Sequence, residues 1–132
     1  MSAVLDTHSA IWYLRPSKEL SPTALQAIRL ALSSGKPIYV SAISLVETIF
    51  LVEKGRLPLK ALQRLETGLK GSASGLIVAP LDAGVADAVY KVPRVSVSDM
   101  PDRIIAATAL HLGLPLVTRD QRIQSAGIHT IW

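Results

Sequence analysis

The sequence predicts a three-layer α/β/α fold built on a central four- to five-stranded, mainly parallel sheet. Three observations carry that expectation. Short apolar runs alternate with longer stretches of helical period along the whole chain, the pattern of parallel strands joined by crossover helices. The runs "LIVA" (76–79) and "PLV" (115–117) do not alternate in polarity, as expected of strands buried on both faces. The chain has 132 residues, 49% of them hydrophobic, enough for one domain (1–132) with a substantial core. No internal repeat, low-complexity tract or linker divides it.

Each element follows from its own local signal. "SAVL" (2–5) reads as the first strand and "THSAIWYL" (7–14) as a short helix. "SPTALQAIRLALSSG" (21–35) opens on Ser and Pro and closes on Gly, the frame of a helix. "PIYVS" (37–41) is β-branched and aromatic, hence a strand. "SLVETIFLVEKG" (44–55) has helical spacing, and Ser44 with Glu47 makes S-x-x-E, which reads as a capping box in the first turn. "PLKALQRLETGL" (58–69) is amphipathic, with Leu59, Leu62, Leu65 and Leu69 on one face expected in the core. "GSASG" (71–75) is a loop, "LIVA" a strand, and "DAGVADAVYKV" (82–92) a helix. Residues 102–112 form a helix closed by Gly113, with Asp99 as its N-cap and Pro101 in its first turn. "PLVT" (115–118) and "IHTIW" (128–132) supply the last strands, with a turn beginning at Asp120 in "RDQR".

Composition excludes several classes. The chain has no cysteine, so disulfides, thiolate zinc sites and a cysteine nucleophile are out. No segment reaches the ~18–20 uninterrupted apolar residues of a membrane span. The most apolar stretch, 104–118, is broken by His111, Gly113 and Pro115. "MSAVLDTHSA" lacks the basic and apolar regions of a secretion signal, so a cytoplasmic location is expected. The net charge of +4 favours polyanionic partners.

The acids are scarce and fall at one kind of position. Asp6 follows the first strand, Asp120 follows "PLVT", Glu47 opens the helix after "PIYVS", and Asp102 opens the helix leading into "PLVT". In open parallel sheets ligands bind outside the carboxyl ends of the strands. Two readings stand side by side. Each acid can cap a helix, or the four can converge on one edge. Converging carboxylates raise one another's pKa unless a cation joins them. An all-oxygen set without Cys or a His pair suits a hard ion, Mg²⁺ or Mn²⁺, and such an ion supports phosphodiester hydrolysis.

The blocks "VLDTHSAIWYL", "ISLVETIFLVEKGRL" and "DMPDRIIAATALHLGLPLVTRDQRI" together resemble the PIN-domain nucleases, most of all the VapC-type toxins of bacterial toxin–antitoxin pairs. The resemblance extends over the whole chain. It implies a PIN-like fold and a Mg²⁺/Mn²⁺-dependent endoribonuclease with catalytic and metal-binding residues at Asp6, Glu47, Asp102 and Asp120. Thr118, in "TRD", matches a supporting hydroxyl. It also implies an RNA substrate, a homodimer, and a cognate antitoxin whose C-terminal segment covers the active site. Many relatives read D-P-x-D-R where this chain reads "DMPDR", which sets Asp99 against Asp102 as the metal-side acid. The position of the cap favours Asp102, with Asp99 in a supporting role.

Arg15, Lys18, Lys54 and Arg56 are the candidate phosphate contacts. His8 adjoins Asp6, and Trp12 and Tyr13 either pack or stack on a base. Arg103 and Arg119 adjoin acids and suggest structural ion pairs. A haloacid-dehalogenase-like phosphatase needs an acid where His8 stands, and a phosphorelay receiver needs a late Lys, but none follows Lys91. The remaining alternative is a catalytically silent PIN scaffold that binds RNA or a protein.

Overall fold

The computed structural model describes residues 1–71 and 73–132. Five strands, β1 (Ala3–Leu5), β2 (Ile38–Ser41), β3 (Leu76–Ala79), β4 (Leu116–Val117) and β5 (Thr130–Ile131), form one sheet in the order β3-β2-β1-β4-β5. Every neighbouring pair is parallel. The helices are α1 (Thr7–Leu14), α2 (Pro22–Ser33), α3 (Ala42–Glu53), α4 (Leu59–Lys70), α5 (Ala83–Ala88), α6 (Met100–Leu112) and α7 (Gln121–Ser125). The expected three-layer parallel architecture is thus the one the chain adopts.

Alternation along the strands feeds two cores. Val4 and Leu116 point to one face, where they meet Val85 of α5, Ile105 and Ala109 of α6, and Ile123 of α7. Leu5 and Val117 point to the other and pack with Ala10 of α1, Ile28 of α2 and Leu65 of α4. Leu5, Ile105 and Leu116 are fully buried, each contributing roughly 1.5–3 kcal/mol. Between the faces, α3 places Ile43 against the first core and Leu45 against the second.

Several local expectations change. The helix after β2 begins at Ala42, with Ser41 as N-cap accepting from the Ile43 amide. Glu47 therefore lies in the second turn, and there is no capping box at Ser44. The helix expected over 82–92 stops at Ala88 and continues as a short 3-10 turn over Val89–Lys91. The turn expected at Asp120 is α7, capped by Asp120 itself. On α4, Leu65 is buried, but Leu59 is 57% exposed. Strand β3 lies at the sheet edge with Ile77 at 47% exposure. The unbroken apolar run of "LIVA" therefore does not mean burial on both faces. The expected loop 71–75 includes Ser72, which lies outside the described residues.

Helix α6 fits its predicted frame. Asp99 is the N-cap, Pro101 occupies the first turn without losing a helical hydrogen bond, and Gly113 ends it at φ +68. The Leu114 amide returns to the Ala109 carbonyl at 3.0 Å, closing the helix end.

Candidate active site

Strand β1 sits between β2 and β4, so the strand order reverses there. The helices that follow β1 and β4 leave on opposite faces, α1 with one core and α7 with the other. A crevice must open between them at the carboxyl ends of the strands. It is about 520 Å³ in volume, and Asp6, Glu47, Asp99, Asp102 and Asp120 line it. Half of the ten acids of the chain thus face one cavity of a basic protein. His8, Trp12, Arg119 and Arg122 complete the lining.

Backbone geometry fixes each carboxylate. The Asp6 amide donates to the Val117 carbonyl at 3.1 Å, tying the end of β1 to β4. The Asp6 side chain caps α1, accepting from the Ser9 amide at 2.9 Å. Thr118, buried at the end of β4, accepts from the Asp120 amide at 3.0 Å and so sets the turn that presents Asp120. Asp99 caps α6 by accepting from the Asp102 amide at 3.2 Å, which puts Asp102 in the first turn. Side chains lean toward the helix N-terminus, so Asp102 reaches the crevice. Capping and convergence are therefore not rivals: a carboxylate has lone pairs enough for a cap and for a second partner.

Glu47 is held differently. It accepts from the Thr7 hydroxyl at 2.5 Å, and Thr7 lies 2.9 Å from the hydroxyl of Ser44. One hydroxyl proton cannot serve both, and a carboxylate only accepts, so Thr7 donates to Glu47 and Ser44 donates to Thr7. Thr7 and Ser44 are both buried. Sequence reasoning missed Thr7, although its place directly after Asp6 was the available signal.

Burial pushes the Asp102 carboxyl up to about 7, helped by the charges of Asp99, Glu47, Asp120 and Asp6 in that order. Asp120 moves the other way, chiefly because the Arg122 side chain donates to it. Arg122 Nε and Nη2 reach the two oxygens of Asp120 at 3.1 and 2.9 Å. Arg119 lies 4.8 Å over the Trp12 ring and pairs with Glu19 at 3.0 Å, not with a neighbouring acid. Arg103 also pairs with no neighbouring acid; it donates to the carbonyls of Val89 and Val92.

The stability of the metal-free protein should follow Asp102. Between pH 4 and 7 the folded carboxyl keeps a proton that the unfolded chain has released, so stability falls as pH rises through this window. Screening at a half-exposed group reduces the loss to about 1–2 kcal/mol. Urea denaturation at pH 4.5 and 7.5 in EDTA measures it, and a curve rising with pH contradicts it.

Oxygen atoms of Glu47, Asp99 and Asp102 lie within 4.8 Å of one another, near the roughly 4 Å that spans a hard octahedral cation; Asp6 and Asp120 line the same crevice but stand outside that group. Burial first, and then the neighbouring acids, raise the Asp102 carboxyl, and an all-oxygen donor set of this kind fits a hard divalent cation. None of Arg15, Lys18, Lys54 and Arg56 lines the crevice; its cations are Arg119 and Arg122.

The sequence model of the PIN domain family matches residues 3–128. The chain belongs to the PIN domain family. Across 124 residues it is 34% identical to Ribonuclease VapC22 of Mycobacterium tuberculosis, covering 94% of this chain and 91% of that protein. Its fold is also that of solved toxin–antitoxin structures. VapBC2 from Rickettsia felis, bound to a promoter DNA fragment, aligns with a TM-score of 0.70 at 17% identity, covering 98% and 97% of the two chains. DNA-bound VapBC from Salmonella typhimurium aligns at 0.65 and 24% identity, covering 98% and 96%. At such identities these structures speak for the fold of this PIN domain alone.

Proposed function

We propose that this PIN domain is a Mg²⁺- or Mn²⁺-dependent endoribonuclease, the toxin of a toxin–antitoxin pair. The observation that carries the reading is the gathering of five carboxyls at the switch point of the sheet in a chain of net charge +4. Asp6, Glu47, Asp102 and Asp120 would hold the cation, with Asp99 and Thr118 in support. Bound there, a divalent cation supplies charge stabilisation at the phosphodiester and lowers the pKa of a water.

The protein's own groups do the rest. Thr7 keeps Glu47 aimed into the crevice, and Thr118 and the α7 cap keep Asp120 at its mouth. Arg119, braced by Trp12 and Glu19, faces the phosphate backbone of an incoming RNA. Arg15 and Lys18, on the rims of the neighbouring grooves, and Lys54 and Arg56, exposed beyond α3, extend the phosphate contacts outward.

The partners follow the same reading. An apolar groove of about 800 Å³ between α1 and α2, lined in part by Tyr13, Leu14, Leu20 and Leu25, suits a helix of the cognate antitoxin. The exposed apolar stripe Val46, Ile49 and Phe50 on α3 suits a homodimer face. The chain is read as cytoplasmic; no helix among the described residues is long and apolar enough to cross a membrane.

Incubation with total RNA and Mn²⁺ should give discrete fragments that EDTA abolishes and added Mn²⁺ restores. Cleavage indifferent to chelator removes the metal mechanism. Mn²⁺ binding without cleavage of any RNA returns the chain to a silent scaffold.

A further inference from the structure

Arg122 stands in a position that the nuclease reading does not assign. It is the third residue of the α7 frame opened by Asp120, and its own amide donates to Asp120 Oδ1 at 2.9 Å. Its guanidinium then folds back onto both oxygens of the same carboxylate, Nε on Oδ1 at 3.1 Å and Nη2 on Oδ2 at 2.9 Å. With the cap, this fork takes up three of the roughly four acceptor sites of the carboxylate. The pair is asymmetric. The Asp120 side chain is 23% exposed and held by its cap, whereas that of Arg122 is 66% exposed.

We propose that Arg122 is a built-in counter-ion, occupying Asp120 until a divalent cation displaces it and then passing to a phosphate of the RNA. The inference rests on the metal-dependent reading above and deepens it. A cation at Asp120 competes with the guanidinium for the same carboxylate charge and is repelled by it at short range, so metal entry weakens the Arg122 pair. Arg122 lines the same crevice as Asp6 and Asp102, so the displaced group stays at its rim. There a planar guanidinium matches two oxygens of a phosphodiester as well as it matched the carboxylate. Metal binding would thereby create one substrate contact that the metal-free protein lacks.

The test compares wild type, Arg122→Gln and Arg122→Lys by calorimetric titration with Mn²⁺ in the absence of RNA. Removing the internal competitor should tighten Mn²⁺ binding by roughly three- to tenfold in Arg122→Gln, each factor of ten being one decade of Kd. Arg122→Lys keeps the charge but loses the fork and should fall between the two. With Mn²⁺ present, the salt dependence of kcat/KM for RNA should lose about one unit of slope in Arg122→Gln. Equal or weaker Mn²⁺ binding in Arg122→Gln overturns the proposal, since Arg122 would then only brace α7. So does tighter binding with an unchanged salt slope, because the handover to phosphate would be absent. A wild-type protein that takes up no Mn²⁺ removes the metal reading itself, an outcome distinct from either.

Discussion

Asp102→Asn should lose RNA cleavage and weaken Mn²⁺ binding while making the metal-free protein more stable above pH 7. Loss of even the groups that orient a ligand costs about 10–100-fold in metal affinity; loss of a carboxyl within the converging group should cost at least that. The gain in stability has the opposite origin. Burial, and then the charges of Asp99, Glu47, Asp120 and Asp6, push Asp102 up to about 7, so above that pH the folded state holds a charge it disfavours. A neutral Asn removes this, stabilising the protein by about 1–2 kcal/mol at pH 8 after allowance for solvent screening. Below pH 4, where Asp102 is protonated folded and unfolded, the variant and wild type should match. Asp99→Asn makes the contrast. Asn caps a helix about as well as Asp, so stability should change by less than ~0.5 kcal/mol and much of the cleavage should remain. Denaturation curves at pH 4 and 8, with Mn²⁺ calorimetry on both variants, decide the matter. If Asp99→Asn abolishes binding and Asp102→Asn does not, the shifted proline has moved the metal-side acid to Asp99.

Thr7→Val should be the most damaging conservative substitution near the crevice. Valine keeps the shape but removes the hydroxyl that donates to Glu47 and accepts from Ser44. Ser44 is fully buried, so its hydroxyl loses a partner where no water replaces it. A hydrogen bond to a charged group contributes about 1.5–3 kcal/mol, and an unsatisfied buried hydroxyl adds its own desolvation cost, for a total near 2–4 kcal/mol. Mn²⁺ affinity should fall as well, because Glu47 is no longer held toward Asp102. Thr7→Ser retains the hydroxyl and should recover most of both. Thermal denaturation and calorimetry of the two variants provide the check. A Thr7→Val protein as stable as wild type would mean that the α1–α3 contact contributes nothing.

How far the sequence reaches can be judged from these same residues. The alternation of β1, α1, α2 and β2, the Ser21 and Asp99 caps and the Gly113 stop were all legible, because each is dictated by a periodicity or a cap within a few residues. So was the placing of Asp6 and Asp120 at strand ends, since a parallel strand declares where it stops. The α3 start was not: Ser41 and Ser44 are both good caps, and only the end of β2 selects Ser41. Local pattern also cannot tell an edge strand from a central one, hence Ile77.

What the sequence by itself determined was the fold class, the acids available to a site and the edge of the sheet they occupy. Tertiary structure alone decided which groups hold those acids. Thr7 meets Glu47 across 40 positions of chain, and Arg119 meets Glu19 across 100. Such pairings follow from the strand order β3-β2-β1-β4-β5 and the packing of α3 between two cores. Arg122 is near its partner in sequence, yet "RDQR" is as compatible with a free turn as with α7; the burial of Ile123 against the first core makes it a helix. The physical reason is the same in each case. Periodicity and capping act over one or two turns, whereas the hydrogen bonds of the crevice form only after the sheet has brought distant ends of the chain together.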